Sequence, residues 1–330
     1  MNDLAPLLEA FFTERLIGQR QASPNTVASY RDAIRLLVCF ARERTGKAPE
    51  RLGLADLDAP LIGAFLQHVE VDRGGSIRTR NSRLTAIRSL FHFAAYRHPE
   101  HSALIQRVLA IPPKRTDRVL VTYLTEPEMA ALLAAPDRSC WIGRRDHALL
   151  LVALETGLRV SELTGLVWAD VELGTGAHLR CHGKGRKERI TPLRKEARAL
   201  LRLWRTEQGG GPSDIVFPGP KGARLSRDAI RRVVERHVAA SALSCPSLSN
   251  KTVTPHTTRH SFAMNLQHHG VDPATIALLL GHEDVRTTYG VYLHADLSLK
   301  ERALARTAPP KTGQGRYRPP DRLLAFLEGL

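Results

Sequence analysis

Residues 144–163 read RRDHALLLVALETGLRVSEL, and this stretch decides the architecture of the second half of the chain. The apolar run ALLLVAL, from Ala148, predicts one long buried helix from about Arg144 to Glu155, and the run is far too short to cross a bilayer. Thr156–Gly157 ends it, because glycine tolerates the left-handed backbone on which helices stop. Leu158–Arg159 then turn the chain into a short helix opening near Ser161. Arg159 thus stands on backbone anchored in a core, either as a rim residue or as a positioned cation, and the segment alone leaves both open.

Outward from this stretch the pattern is helical with one β interruption. A helix is expected over Glu126–Ala134. The segment GAHLRCHGKGRKERITPL, 176–193, predicts two short strands flanking Gly183-Lys184-Gly185, whose glycines permit a tight turn. A basic helix follows from Leu225 to Ala240, starting at Ser226 and carrying Arg227 and Arg231. Two further helices share one start signal, a capping residue followed by proline: Thr254-Pro255 in TPHTTRH and Asp272-Pro273 in VDPATIALLL. In the first of these, His256 and Arg259 are spaced i and i+3. They share a face at a helix N-terminus, where unpaired N–H groups favour an anion. A surface helix reads the same way when it does nothing, and so does a lysine on a solvated hairpin tip.

The first hundred residues read as all-helical. Ser23 caps a helix whose apolar face is Tyr30, Ile34, Leu37 and Phe40, closed by Gly46. A shorter helix runs from Ala59 to about Val71. In RGGSIRTRNSRLTAIRSLFHFAAYRHP the core face is Leu84, Ile87, Leu90, Phe91 and Ala94. Arg78, Arg80, Arg83 and Arg88 line its opening turns as candidate phosphate contacts. Pro112–Pro113, with Lys114 and Arg115 beside them, stop the helical pattern and mark a boundary. The domains expected are residues 1–108, a linker 109–122, a second domain 123–306, and a basic tether with an amphipathic helix over 307–330 that docks on a neighbouring subunit.

The chain carries 48 Lys and Arg against 33 Asp and Glu among 330 residues, a formal charge of +15. Up to Leu120 the balance is 18 against 12, so the basic character belongs to both halves and fits a two-part clamp on a polyanion. Nucleic acid ranks ahead of a membrane surface. The four cysteines form no CxxC pair and read as reduced thiols. The acidic N-terminal segment reads as mature chain, not as a leader. His282, Glu283 and Asp284 are adjacent on a turn and lack a third ligand at metal spacing, so no metal is expected.

The segments ETGLRVSEL, GKGRKER, PHTTRHSFA, LLLGHEDVRTT and YLH occur in that order and together resemble the tyrosine site-specific recombinases of the phage integrase family. The first domain is similar to that family's helical core-binding, SAM-like domain through SPNTVASYRDAIRLL and TRNSRLTAIRSLFHFA. The resemblance implies a mainly α fold with a small β-hairpin or sheet, an α+β catalytic domain, and a two-domain, C-shaped DNA clamp. It implies metal-free strand breakage and rejoining with no cofactor: a tyrosine attacks a DNA phosphate, forms a 3′-phosphotyrosyl link and frees a 5′-hydroxyl, whose counterpart on a partner duplex reverses the step.

Carried onto this chain, Arg159 and Arg259 would clamp the nonbridging oxygens and Lys184 would protonate the leaving oxygen. His256 would assist proton transfer at the tyrosine, and His282 would hydrogen-bond the phosphate. Lys114, Arg115, Arg186, Arg227 and Arg231 join the candidate DNA contacts. The nucleophile is expected at Tyr292. The family's usual spacing of nine after the second histidine falls on Val291, spacing ten falls on Tyr292, and Tyr292-Leu293-His294 matches the Tyr-x-His ending. Tyr289 is the competing position. Glu162, His260 and His294 read as supporting residues. Double-stranded DNA, a homotetramer on it, a monomer or weak oligomer off it, and a cytoplasmic, nucleoid-associated bacterial setting complete the expectation. The rival readings are a non-catalytic DNA-binding relative, a type IB topoisomerase and a metal-dependent transposase.

Overall fold

The computed structural model describes residues 3–116, 121–182 and 188–281, with the side chain of His182 outside that description. The chain divides into two compact units, residues 1–119 and 120–330. Lys184, Arg186, His282, Tyr289, Tyr292 and His294 lie outside the described residues, as do the expected hairpin tip and the expected tether and helix over 307–330.

The first unit is helical. Helix α1 (Leu4–Ala10) runs on into a π-helical segment, Phe11–Gln19, and is followed by α2 (Pro24–Thr45), α3 (Ala59–Glu70), α4 (Ile77–Arg97) and α5 (Ser102–Leu109). The starts are set locally. Ser23, Asp58 and Ser76 each accept a hydrogen bond from a backbone N–H three residues on. Gly46 ends α2 at φ 70°. The expected apolar faces are buried: Ile34, Leu37 and Phe40 of α2 meet Leu84, Ile87, Leu90, Phe91 and Ala94 of α4 around Phe11 and Phe65. Each of these leucine, isoleucine and phenylalanine side chains is worth about 1.5–3 kcal/mol of burial. Tyr30 is half-buried and stacks on Phe11. α5 was not expected as an element, since its eight residues fall where the sequence places the approach to the linker.

The second unit comprises α6 (Glu126–Ala134), α7 (Trp141–Thr156), α8 (Val160–Gly165), strands β1 (Val171–Glu172), β2 (His178–His182) and β3 (Glu188–Pro192), then α9 (Lys195–Gln208), α10 (Arg227–Ser241), α11 (Pro255–His268) and α12 (Pro273–Leu280). The strands form an antiparallel sheet ordered β1-β2-β3, with Leu179 opposite Thr191 and Cys181 opposite Arg189. The expected hairpin therefore gains a third, two-residue strand, too short for a period-2 signal. α9 was not anticipated either. Its face of Ala197, Leu201 and Trp204 buries into the core, and Trp204 Nε1 donates to Val216 O at 2.7 Å.

Buried charges tie this unit together. Asp146, fully buried on α7, accepts from Arg145 at 2.6 Å and is 2.8 Å from His237 Nε2 of α10. Glu128 takes Lys251 at 2.6 Å, Ser247 at 2.7 Å and the Thr125 N–H at 2.8 Å. Burial works against that carboxylate, yet these partners outweigh it and lower its pKa to about 2. No helix among the described residues is long and apolar enough to cross a membrane.

Candidate active site

The site begins at the stop of α7. Gly157 adopts φ 59°, and its N–H closes on Ala153 O. No larger residue fits: a Cβ here would stand 2.5 Å from Phe262 Cδ1 and 2.8 Å from Leu280 Cδ2. The chain turns at a point where α11 and the end of α12 press directly onto it.

Arg259 exploits that closeness. It is 2 % exposed, and its guanidinium donates to Gly157 O and to Leu280 O, both at 2.7 Å. It therefore links the carbonyl-rich C-termini of α7 and α12, where a cation is favoured. Arg159, at the head of α8, donates through Nη2 to the next carbonyl, Gly281 O, at 2.9 Å. Two arginines separated by 100 positions thus bind consecutive carbonyls. Arg159 keeps a third of its side chain open to solvent. Thr254 caps α11 by accepting from the Thr257 N–H, which sets the first turn that carries His256. The His256 ring lies 4.4 Å from that of His260 in edge-to-face contact. His256 is solvent-accessible as a residue, but partial desolvation of its imidazole lowers its pKa, and the Arg259 and Arg159 cations push the same way. It is therefore neutral at pH 7 and able to accept a proton.

Glu162 orders this cluster. Lying in the first turn of α8, it accepts the Arg159 backbone N–H at 2.7 Å, the glutamate half of a capping box. It also accepts Arg159 Nη1 at 3.0 Å and pairs with both Nη atoms of Arg189 at 2.7 and 2.9 Å. Burial would raise its pKa, but the hydrogen bonds from Arg189 and Arg159 hold the carboxylate below its ordinary range.

Of the six residues expected in the chemistry, the structure brings Arg159, His256 and Arg259 together, while Lys184, His282 and Tyr292 fall outside the described residues. Arg189 was missed. Strand parity could have found it, since residues 189 and 191 turn inward on β3 while Ile190 is exposed. No group of three His, Cys, Asp or Glu side chains suited to a metal occurs among the described residues.

The candidate DNA contacts divide. Arg78, Arg115, Arg227 and Arg231 are exposed, Arg231 pairing with Glu235 at 3.0 Å. Arg80, expected on the rim of α4, is instead 9 % exposed and pairs with Glu70 at 3.6 Å. Arg88 donates to Leu109 O at 2.7 Å and Arg83 to Ser29 O at 3.3 Å, both bonds between elements of the first unit. Lys114 also pairs with Glu70, at 2.8 Å, and its backbone exchanges two hydrogen bonds with the Asn81 side chain. The reason is Glu70, a carboxylate at the end of α3 that gathers Arg80 and Lys114.

A helical unit followed by a helical unit with a small sheet and a paired-arginine site defines a class. Residues 122–298 match the phage integrase family, and residues 10–98 match the phage integrase N-terminal SAM-like domain. The chain is 56% identical to "Putative integrase/recombinase y4rC" of Sinorhizobium fredii, over 99% of this chain and 98% of that protein. It is 32% identical to tyrosine recombinase XerD of Pseudomonas putida, over 88% and 92% respectively. The XerH site-specific recombinase, solved bound to a palindromic difH substrate in a post-cleavage complex, shares the fold. Its TM-score is 0.70 at 24% identity, over 87% of this chain and 81% of that one. The chain belongs to the phage integrase family. It is a tyrosine recombinase, an enzyme of site-specific DNA recombination that breaks and rejoins DNA strands.

Proposed function

We propose that Tyr292 is the nucleophile of this recombinase and that Arg159, Arg259 and His256 form the cradle in which it attacks a DNA phosphate. The observation that carries the reading is the convergence of Arg159 and Arg259 on consecutive carbonyls, Gly281 O and Leu280 O, with His256 in their field. Two guanidiniums held in place meet the charge that develops on the nonbridging oxygens of a phosphorane without reorganising. Neutral His256 takes the phenol proton, Lys184 protonates the departing 5′-oxygen, and His282 hydrogen-bonds the phosphate. The phosphotyrosine conserves the bond energy, and a 5′-hydroxyl from the second duplex reverses the step, so the overall exchange consumes no cofactor.

The binding partner is double-stranded DNA, and four copies act on two duplexes. The first unit, to residue 108, grips DNA through exposed arginines such as Arg78, and residues 123–306 supply the chemistry. The place of action is the cytoplasm, where bacterial DNA lies. A nicked suicide duplex incubated in EDTA tests the reading. Wild type accumulates a covalent protein–DNA adduct, Tyr289→Phe also does, and Tyr292→Phe does not. Strand exchange between two duplexes is expected. Relaxation of supercoils without exchange would favour a topoisomerase instead.

A further inference from the structure

Arg189 of β3 has no role in the reading above, yet it is built into the site. Its side chain is 13 % exposed and it holds Glu162, itself 3 % exposed, through both Nη atoms. The carboxylate is shared evenly. Oε1 accepts Arg189 Nη1 at 2.7 Å and Arg159 Nη1 at 3.0 Å; Oε2 accepts Arg189 Nη2 at 2.9 Å and the Arg159 backbone N–H at 2.7 Å. The ring closes through Gly281, whose carbonyl takes Arg159 Nη2 and whose Cα lies against Arg189. A Cβ at 281 would stand 2.9 Å from Arg189 Cδ and from Nη1.

The charge arithmetic is direct. One buried carboxylate faces two guanidiniums, so the cluster keeps a net positive charge, and its partly open member is Arg159. Without Arg189, Glu162 would be balanced by Arg159 alone. That guanidinium would then be neutralised and drawn toward the carboxylate, away from any phosphate. The geometry points to Arg189 as a positioning residue for DNA cleavage: it balances Glu162 so that Arg159 keeps its charge and its aim for the scissile phosphate. This rests on the proposed role of Arg159 and assigns a function to a side chain outside the expected set.

The test is a double-mutant cycle on the full-length protein, using the single-turnover rate of adduct formation at saturating nicked duplex, with DNA affinity measured separately. Arg189→Met keeps the stem and removes the charge. It is expected to slow cleavage at least tenfold while DNA affinity changes less than threefold. Arg189→Lys, which keeps the charge but cannot hold both oxygens, is expected to fall between. Once Glu162→Gln has removed the carboxylate's charge, adding Arg189→Met is expected to cost less than threefold more. Rate losses that multiply in the double variant, or a loss confined to DNA affinity, would overturn the inference. If Arg189→Met fails to fold, the same coupling is read from Arg189→Lys with and without Glu162→Gln, judged by the same criteria. A wild-type protein that forms no adduct would remove the underlying proposal, whereas a cleaving wild type with an indifferent position 189 removes only this one.

Discussion

Replacing Gly157 by alanine isolates the joint on which the site is built. The residue adopts φ 59°, where an L side chain costs about 1–2 kcal/mol. The new methyl would lie 2.5 Å from Phe262 Cδ1 and 2.8 Å from Leu280 Cδ2, both on buried residues, so those side chains or the helices that carry them must give. Overpacking of that kind costs about 1–3 kcal/mol. Together the two effects come to about 3 kcal/mol, and for a unit of this size that lowers Tm by about 10 °C. Thermal unfolding of the full chain, followed by circular dichroism, measures it. Gly165→Ala is the control, because a Cβ there meets nothing within 4 Å. Gly157 O is also an acceptor for Arg259, so surviving Gly157→Ala protein is expected to cleave more slowly. A Tm within about 2 °C of wild type, beyond the control's shift, would refute the picture of helices pressed onto the α7 stop.

Three further outcomes follow from named contacts. Hydrogen bonds from His237 and Arg145 more than offset burial and hold the Asp146 pKa below its unfolded value, so its stabilisation is present above roughly pH 4 and is lost as pH falls through the lowered value. Asp146→Asn is expected to cost about 3–5 kcal/mol in denaturant unfolding at pH 7, and a gap to wild type that does not narrow toward pH 3 would contradict the assignment. Because the His256 pKa is lowered, the acidic limb of the cleavage rate is expected below the ordinary histidine range, near 6.5 for a free side chain, and His256→Gln is expected to abolish that limb. Arg78→Ala is expected to weaken DNA binding and reduce the salt slope by about 1, whereas Arg80→Ala, losing a buried partner of Glu70, is expected to lower thermal stability; equal effects on the slope would contradict the division.

What the sequence made legible is what short-range chemistry dictates. Ser23, Ser226, Thr254 and Asp272 sit where the helices start because each bonds its own backbone a few residues on, which a linear reading detects. Gly46 and Gly157 announce the ends of α2 and α7 in the same way. Arg159, His256 and Arg259 were singled out through their motif context. Their convergence depends on how α11 and the end of α12 pack onto the stop of α7, and no local rule specifies that. The burial of Arg80 was not legible because its partner, Glu70, belongs to another helix, and a charged helix face looks alike whether solvated or paired. Arg189 escaped because the carboxylate that explains it lies 27 positions away on α8. The strand β1 has only two residues, which carry no periodicity at all.

The reaction proposed for this recombinase is displacement of a deoxyribose oxygen by a phenol oxygen inside a cradle of basic side chains. Digesting the trapped adduct and sequencing the peptide and the DNA attached to it tests this most directly. A single peptide joined through Tyr292 to a 3′-phosphate is expected, with a free 5′-hydroxyl on the other strand end. A 5′ linkage, attachment through another residue such as Tyr289, or cleavage that leaves no protein on the DNA would contradict it.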